Sequence, residues 1–366
     1  MPIQTAADSI SNSQGSPFGF KNRIINGAMV IDQRNAGASG TANNNYTLDR
    51  WEYFGSQASK GTWQQNGGAV TPPDGFKNYL GFTSSSAYTV GAAESFAFTQ
   101  HIEGSNVADL AWGTANAKTV TLSFWVRSSL TGTFGGSINP TGNIRAYPYT
   151  YTINAANTWE YKTVTIPGDT TGTWATDNGR GIALRFNLGA GATYSATGNA
   201  WTETDNIFNA TGATSVVGTN GATWYVTGVQ FEKGSQATAF DYRDYGRELI
   251  LCQRYFEKSY DTLTALGTAT TSGMAYGHHI SDNAGSLVQH ISFSVPKRIG
   301  ATITFYNANF ASTTGTWRYA RSGVAETSYN MVSLYPGTRA FSCYGNTSAA
   351  WTAAYQYGHW IADAEL

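Results

Sequence analysis

Charge is scarce in this chain. Only 12% of its 366 residues are Asp, Glu, Lys or Arg, about half the usual share of roughly 25%. The two signs nearly cancel, leaving a formal net charge of −1. This excludes the basic footprint of a nucleic-acid binder and a polybasic attraction to anionic lipid. Cysteine is almost absent: Cys252 and Cys343 are alone and far apart. They make neither a disulfide framework nor a zinc set, and both are expected to be reduced, as in a protein assembled in cytosol. No run approaches the roughly 18 apolar residues of a membrane span. The opening Met1–Asp8 lacks the basic and apolar regions of a signal peptide, so an extracellular role implies release by another route, such as cell lysis.

What is present points to short strands. Glycine is abundant at 41 residues and aromatics reach 14%, including 11 Trp and 22 Tyr. So many aromatics exclude disorder. Strands joined by Gly, Asn and Thr turns account for the composition. A neutral surface rich in aromatics, hydroxyls and amides suits uncharged ligands such as sugars, whose apolar ring faces stack on Trp or Tyr.

Two segments alternate cleanly. Val120, Leu122, Phe124 and Val126 share one strand face, and Ile182, Leu184, Phe186 and Leu188 share another. Arg50–Gly55, Glu94–Glu103, Thr158–Ile166 and Thr223–Glu232 read as further strands, separated by turns such as Thr71–Gly75 and Pro167–Asp169. The pattern predicts an all-β protein whose first domain, 21–243, is an antiparallel jelly-roll β-sandwich. Residues 1–20 are polar and without period, either a frayed end or a tether that orders on docking. Leu249, Cys252 and Phe256 are spaced as a helical stripe within Arg247–Lys258, with Asp244 as N-cap and Lys258 at the far end. A short connecting helix is therefore expected within 244–259, as a linker packed on a sheet or as a three-fold contact. A second small β domain follows over 260–366, with strands at Val288–Val295, Ala301–Asn307, Arg339–Gly345 and Ala353–Ala362. No fixed-period repeat marks a β-helix or propeller.

Two edges of the first domain carry a resemblance. Asn22-Arg-Ile-Ile-Asn-Gly-Ala-Met-Val-Ile-Asp-Gln-Arg34 with Leu48-Asp-Arg-Trp51 resembles the opening of a group of phage tail-fibre and virion fibre proteins. Thr223–Phe240 with Tyr245–Phe256 resembles the closing part of that domain and its exit helix. The segment between is similar to a carbohydrate-binding-module jelly roll. Val295-Pro-Lys-Arg298 and Trp360–Leu366 resemble the C-terminal β module that follows in such proteins. The resemblance implies a homotrimeric fibre on a virion tail or head, made in the host cytoplasm and attached to other virion proteins by 1–20. Its partner would be a host surface polysaccharide or lipopolysaccharide. The edge motifs themselves read as structural: Asn26-Gly27 as a turn, Trp51 and Phe240 as core, and Gln253, Arg254 and Tyr255 as pins for the helix.

Catalytic motifs are missing: there is no Gly-x-Ser-x-Gly elbow, no phosphate loop and no His-Glu-x-x-His. Asp169/Asp177 and Glu203/Asp205 read as turn formers, and His278-His279 as strand neighbours facing opposite ways. No cofactor is expected. Asp32, Asp49 and Asp241 are oxygen donors for a structural calcium, but without a calcium-loop spacing. The candidate sugar site is a groove lined by Trp125, Arg127, Arg185 and His101, on the supposition that their strands share one sheet. Trp174 and Trp201, in Gly/Thr/Asn-rich loops, are either stacking platforms or core plugs. Trp317, Tyr319, Tyr344 and Trp351 are their counterparts in the C-terminal module. Three readings follow: a non-enzymatic glycan-binding fibre, a structural head decoration, spike or tail connector without ligand, and a glycan depolymerase with two carboxylates roughly 5–10 Å apart.

Overall fold

A computed structural model of the chain describes residues 21–279, 287–321, 324–345 and 354–366. The polar N-terminal segment 1–20 and Trp351 lie outside these. The described chain forms two compact units: the first holds the residues up to Val30 and Ala38–Asp244, the second Ile31–Gly37 and Tyr245–Glu365.

In the first unit the strands are β1 Asn45–Leu48, β2 Trp51–Gly55, β3 Gly61–Gln65, β4 Leu80–Ser84, β5 Ser95–Glu103, β6 Val120–Ser128, β7 Gly132–Asn139, β8 Tyr147–Ile153, β9 Glu160–Ile166, β10 Arg180–Ala190, the two-residue β11 Ser195–Ala196 and β12 Asn209–Ala210, and β13 Thr223–Lys233. Apart from β11 and β12, which pair with each other in parallel, they build an antiparallel β-sandwich. One sheet has the order β1-β2-β5-β10-β7-β8 and the other β3-β4-β13-β6-β9. Alternation sets the inner faces, because side chains two apart share a face. Leu122, Phe124 and Val126 from one sheet and Leu184, Phe186 and Leu188 from the other are completely buried. The sheets meet through aromatic pairs: Phe124 on Phe186 (4.9 Å, edge to face), Phe98 on Trp224 (5.9 Å) and Tyr53 on Phe82 (5.5 Å). Trp51 is fully buried in this core. Phe240, expected there, is only half-buried and packs instead on Phe76 and Tyr242, at 5.1 and 4.8 Å.

β7 reads poorly as a strand because Gly135 and Gly136 give it no side chains to alternate. Their absence has a use. Tyr149 of β8 lies across Gly136 and donates its hydroxyl hydrogen to the Arg185 carbonyl on β10, at 2.7 Å. A Cβ at Gly136 would fall 2.6 Å from the Tyr149 ring. The glycine thus lets a tyrosine lock the strand that carries Arg185.

The second unit opens with the helix α1, Tyr245–Gln253. The expected helix to Lys258 is too long: the chain turns after Gln253, and Phe256–Lys258 becomes strand β14. Strand pairing wins because Phe256, Glu257 and Lys258 meet Asp363, Ala362 and Ile361 of the last strand, and all three side chains are buried. The other strands are β15 Ala275–His279, β16 Leu287–Ser292, β17 Thr302–Tyr306, β18 Thr316–Arg321, β19 Val324–Leu334, β20 Ala340–Gly345 and β21 Ala354–Asp363. They form one sheet in the order β14-β21-β18-β19-β20-β16, with β15 and β17 also on β21. His278 and His279 are consecutive in β15. The segment Ile31–Gly37 belongs here because Arg34 pairs with Asp363 (2.9 Å) and Glu365 (3.2 Å), and the Lys258 ammonium donates to the Gln33 carbonyl (2.6 Å). Trp317 is core, not a stacking platform. It is wholly buried, stands edge-on to Phe305 and donates its indole N–H to the His359 carbonyl at 2.8 Å. Tyr319 is buried too, while Tyr344 is half-buried. Cys252 and Cys343 are both buried; Cys343 lies in an apolar core cluster, and burial pushes its thiol up to about 12. No helix among the described residues is long and apolar enough to cross a membrane.

Candidate functional site

The strand order divides the expected groove in two. Trp125 and Arg127 stand on β6, in the five-stranded sheet. His101 and Arg185 stand on β5 and β10, in the six-stranded sheet. Since the two sheets pack by their inner faces, the outer faces look in opposite directions. Alternation reveals which side of a strand is polar but not which strands become neighbours, and these four residues do not share one sheet. On its own outer face Trp125 rests against Tyr161, 5.4 Å away, and Arg127 lies over Tyr225 while donating to the Asn157 carbonyl.

Trp174 does not present a face to solvent. It is buried, with its N–H on the Asp169 carboxylate at 3.0 Å. Trp201 is half-buried. With Trp112 the two form a cluster of edge-to-face contacts of 4.7–5.7 Å, and the Trp201 N–H donates to the Pro167 carbonyl. Asp169 also receives Arg145, at 2.9 Å. These loop tryptophans are plugs that close one edge of the sandwich.

A cleft does exist on the outer face of the six-stranded sheet. Its volume is about 190 Å3, and Glu52, Phe54, Thr99, His101, Arg180, Arg185, Asn143 and Phe208 are among its lining residues. The register explains the grouping. Glu52 of β2 pairs with Thr99 of β5, which pairs with Arg185 of β10, so three outward side chains form one row. One residue pair along, Phe54 is level with Ala97 and Asn187. His101 lies opposite Ala183. Arg180, Glu52, Phe54 and Phe208 were not among the residues expected from sequence. The usable signal for Glu52 and Phe54 was their alternation with the buried Trp51 and Tyr53.

The electrostatics are concentrated despite the chain's overall neutrality. His101 and Arg185 are more than nine-tenths buried. Burial drives His101 down to about 4, against the opposing pull of the Glu52 carboxylate, 3.4 Å from Nε2. The imidazole is therefore neutral at pH 7. Burial alone would raise Glu52, but His101 and the two guanidinium charges outweigh it and hold the carboxyl below its usual range. Burial, then repulsion from Arg180, lowers Arg185 to about 9. The Arg185 guanidinium donates to Asn139 (2.6 Å) and Asn143 (3.2 Å) and lies over Phe208, 4.6 Å from the ring centre.

This burial makes stability depend on pH with a definite sign. A histidine held neutral in the fold but free to protonate at 6.5 when unfolded contributes fully above about pH 6.5 and loses its contribution as pH falls toward 4. A shift of that size corresponds to roughly 3 kcal/mol as an order of magnitude. Urea unfolding at pH 7.5 and pH 4.5 should show the wild type losing more stability than His101→Gln; parallel losses would contradict the assignment.

Among the described residues, no cluster of three or more acidic, histidine or cysteine groups could hold a metal. Asp32 accepts the amides of Asn35 and Gly37 in its own turn, and Asp241 accepts the Asn22 amide and faces Arg243.

No family model matches the sequence, and no curated protein matches it. Three solved structures are among those similar to part of this chain. A putative sugar-binding protein from Bacteroides thetaiotaomicron is 13% identical with a TM-score of 0.35, over 58% of this chain and all of that one. A family 11 carbohydrate-binding module of a Clostridium thermocellum cellulase is 12% identical with a TM-score of 0.27, over 56% and 99%. The enzymatically active domain of tailspike protein 4 from bacteriophage CBA120 is 13% identical with a TM-score of 0.32, over 58% of this chain but 21% of that one. The chain thus spans about a fifth of the tailspike. At these scores the likeness carries no functional weight.

Proposed function

We propose that the first unit binds a sugar unit in the cleft on the outer face of the six-stranded sheet, and that the chain serves a phage virion as a receptor-binding fibre for a host surface glycan. The cleft carries this reading. It combines aromatic walls, Phe54 and Phe208, with hydroxyl, amide and guanidinium groups, the mixture that holds a sugar ring by its apolar face and its hydroxyls. Its volume is below the roughly 300 Å3 at which drug-sized pockets begin, so it suits a single ring. The fibre role rests on the resemblance of residues 22–34 and 223–256 to phage fibre proteins. Three copies on one fibre would turn weak single-site binding into useful avidity. Binding proceeds without a covalent step: the cleft lining holds one carboxylate, Glu52, whereas glycoside hydrolysis uses two.

The test is a binding screen of the purified full chain against host-surface polysaccharides, beside Thr99→Trp. Thr99 is on the cleft lining, and an indole there would occupy the space. Loss of binding with an unchanged circular dichroism spectrum supports the cleft, and Phe208→Ala provides a gentler second variant. Trp125→Ala should bind as the wild type does. The purely structural reading is favoured by the tryptophans, none of which is fully exposed among the described residues. It predicts no glycan binding at all.

A further inference from the structure

We infer that the sugar unit recognised by this cleft is acidic, carrying a carboxylate that the guanidinium groups of Arg180 and Arg185 receive. The inference rests on the cleft being a glycan site and narrows the ligand class.

Two guanidinium groups and one carboxylate line the cleft, with Ser95, Thr99, Asn143 and the His101 ring as its other polar side chains and Phe54 and Phe208 as walls. The carboxylate of Glu52 is engaged with His101. Neither arginine is matched by a carboxylate. Arg185 is held by the amide oxygens of Asn139 and Asn143, and Arg180 by the Asn143 amide oxygen and the Pro140 carbonyl, each at a long 3.4 Å. The Arg180 Nε is buried without a protein partner. Two other buried arginines of this unit, Arg23 and Arg145, each meet an aspartate, at 2.9 and 2.6 Å. Arg180 and Arg185 differ from these two.

Holding two like charges together in a half-enclosed space is costly, and neutral amide oxygens offset only part of the cost. An arriving anion would relieve the repulsion between them. A carboxylate matches a guanidinium by two parallel N–H···O bonds, which a neutral hydroxyl cannot supply. The position of Arg185 is fixed by its neighbours. Phe208 supports the guanidinium plane, and Tyr149 fixes the Arg185 carbonyl from the other side of the sheet. A receptor for a carboxylate is thus built before the ligand arrives, so little ordering entropy is lost on binding.

The experiment uses the full chain on an array of hexuronic-acid, sialic-acid, phosphorylated-hexose and neutral oligosaccharides, with Arg185→Gln, Arg180→Gln and Thr99→Trp in parallel. The expected result is binding to one of the carboxylate classes that falls at least tenfold in each arginine variant, in 0.5 M NaCl, and after chemical reduction of the ligand's carboxyl groups to alcohols. Arg180 is less buried than Arg185, so Arg180→Gln keeps the test valid if Arg185→Gln fails to fold. Preference for the phosphorylated sugars would overturn the assignment of a carboxylate. Binding of neutral sugars that survives both arginine substitutions but not Thr99→Trp would overturn the acidic ligand while leaving the glycan cleft standing. Binding to none of the oligosaccharides would overturn both.

Discussion

Asp169→Ala is expected to destabilise the first unit by about 3–5 kcal/mol, the range for breaking one side of a buried ion pair. Asp169 is nearly inaccessible and holds two groups, and the only other carboxylate paired with the first of them is the exposed Glu203, 3.5 Å away. One is the Arg145 guanidinium, which approaches within 2.6 Å, and the other is the Trp174 indole N–H at 3.0 Å. Removing the carboxylate leaves the buried cation, which also lies over the Trp201 ring, with only the longer contact to the exposed Glu203, and frees the cap over the tryptophan cluster. The consequence would show in tryptophan fluorescence during urea unfolding as a lower midpoint. Asp169→Asn, which retains the indole contact but not the charge, should fall between. A loss under 1 kcal/mol for the alanine variant would mean that the pair contributes little.

Lys297→Met should produce a loss of similar size, about 3–5 kcal/mol, in the second unit. Lys297 and Glu257 are both almost fully buried and paired. Burial lowers the lysine, and the glutamate charge opposes that. The ammonium also donates to the carbonyl of Gln253, at the C-terminal end of α1, at 2.6 Å, where a positive charge meets the negative end of the helix. Glu257 in turn accepts the Ser294 amide at 2.9 Å. Methionine fills the space of the aliphatic stem but leaves Glu257 without a counter-charge. The double variant Glu257→Leu with Lys297→Met removes both charges and should recover much of the loss. Thermal unfolding of the four proteins forms a double-mutant cycle; additive effects would contradict the coupling.

This pair gives the Val295-Pro-Lys-Arg298 motif a physical meaning. Lys297 fastens strand β14 and the helix end, while Arg298 donates to the carbonyls of Ala364 and Glu365 beside the last strand. The motif is therefore a clasp, not a binding surface.

Legibility of the fold tracked the strength of local alternation. β6 and β10 could be read because Leu, Phe, Val and Ile occupy every second position. β7, with its paired glycines, and β18 and β19, rich in Thr, Ser, Tyr and Arg, could not be read because their burial is decided by neighbouring strands. The helix was overextended because Phe256 satisfies a helical stripe and a strand face equally well; pairing with Asp363 decided the matter. Site residues failed for a related reason. Outward direction is local information, whereas joining β2, β5 and β10 across one face requires the sheet order. His101 and Arg185 come together because their strands happen to pair, while Trp125 and Arg127 belong to the other sheet. For Trp174, loop composition gave no way to distinguish a platform from a plug until Asp169 was seen to hold its indole.

The most direct test of the glycan cleft is a map of backbone amide shifts in the isotopically labelled protein as a bound oligosaccharide is added. The account predicts that the largest shifts fall on Glu52, Thr99, His101, Asn143, Arg180 and Arg185, with Trp125 and Tyr161 unmoved. Shifts centred on Trp125 and Tyr161, with the Arg185 row silent, would contradict it and place the sugar on the opposite face of the sandwich.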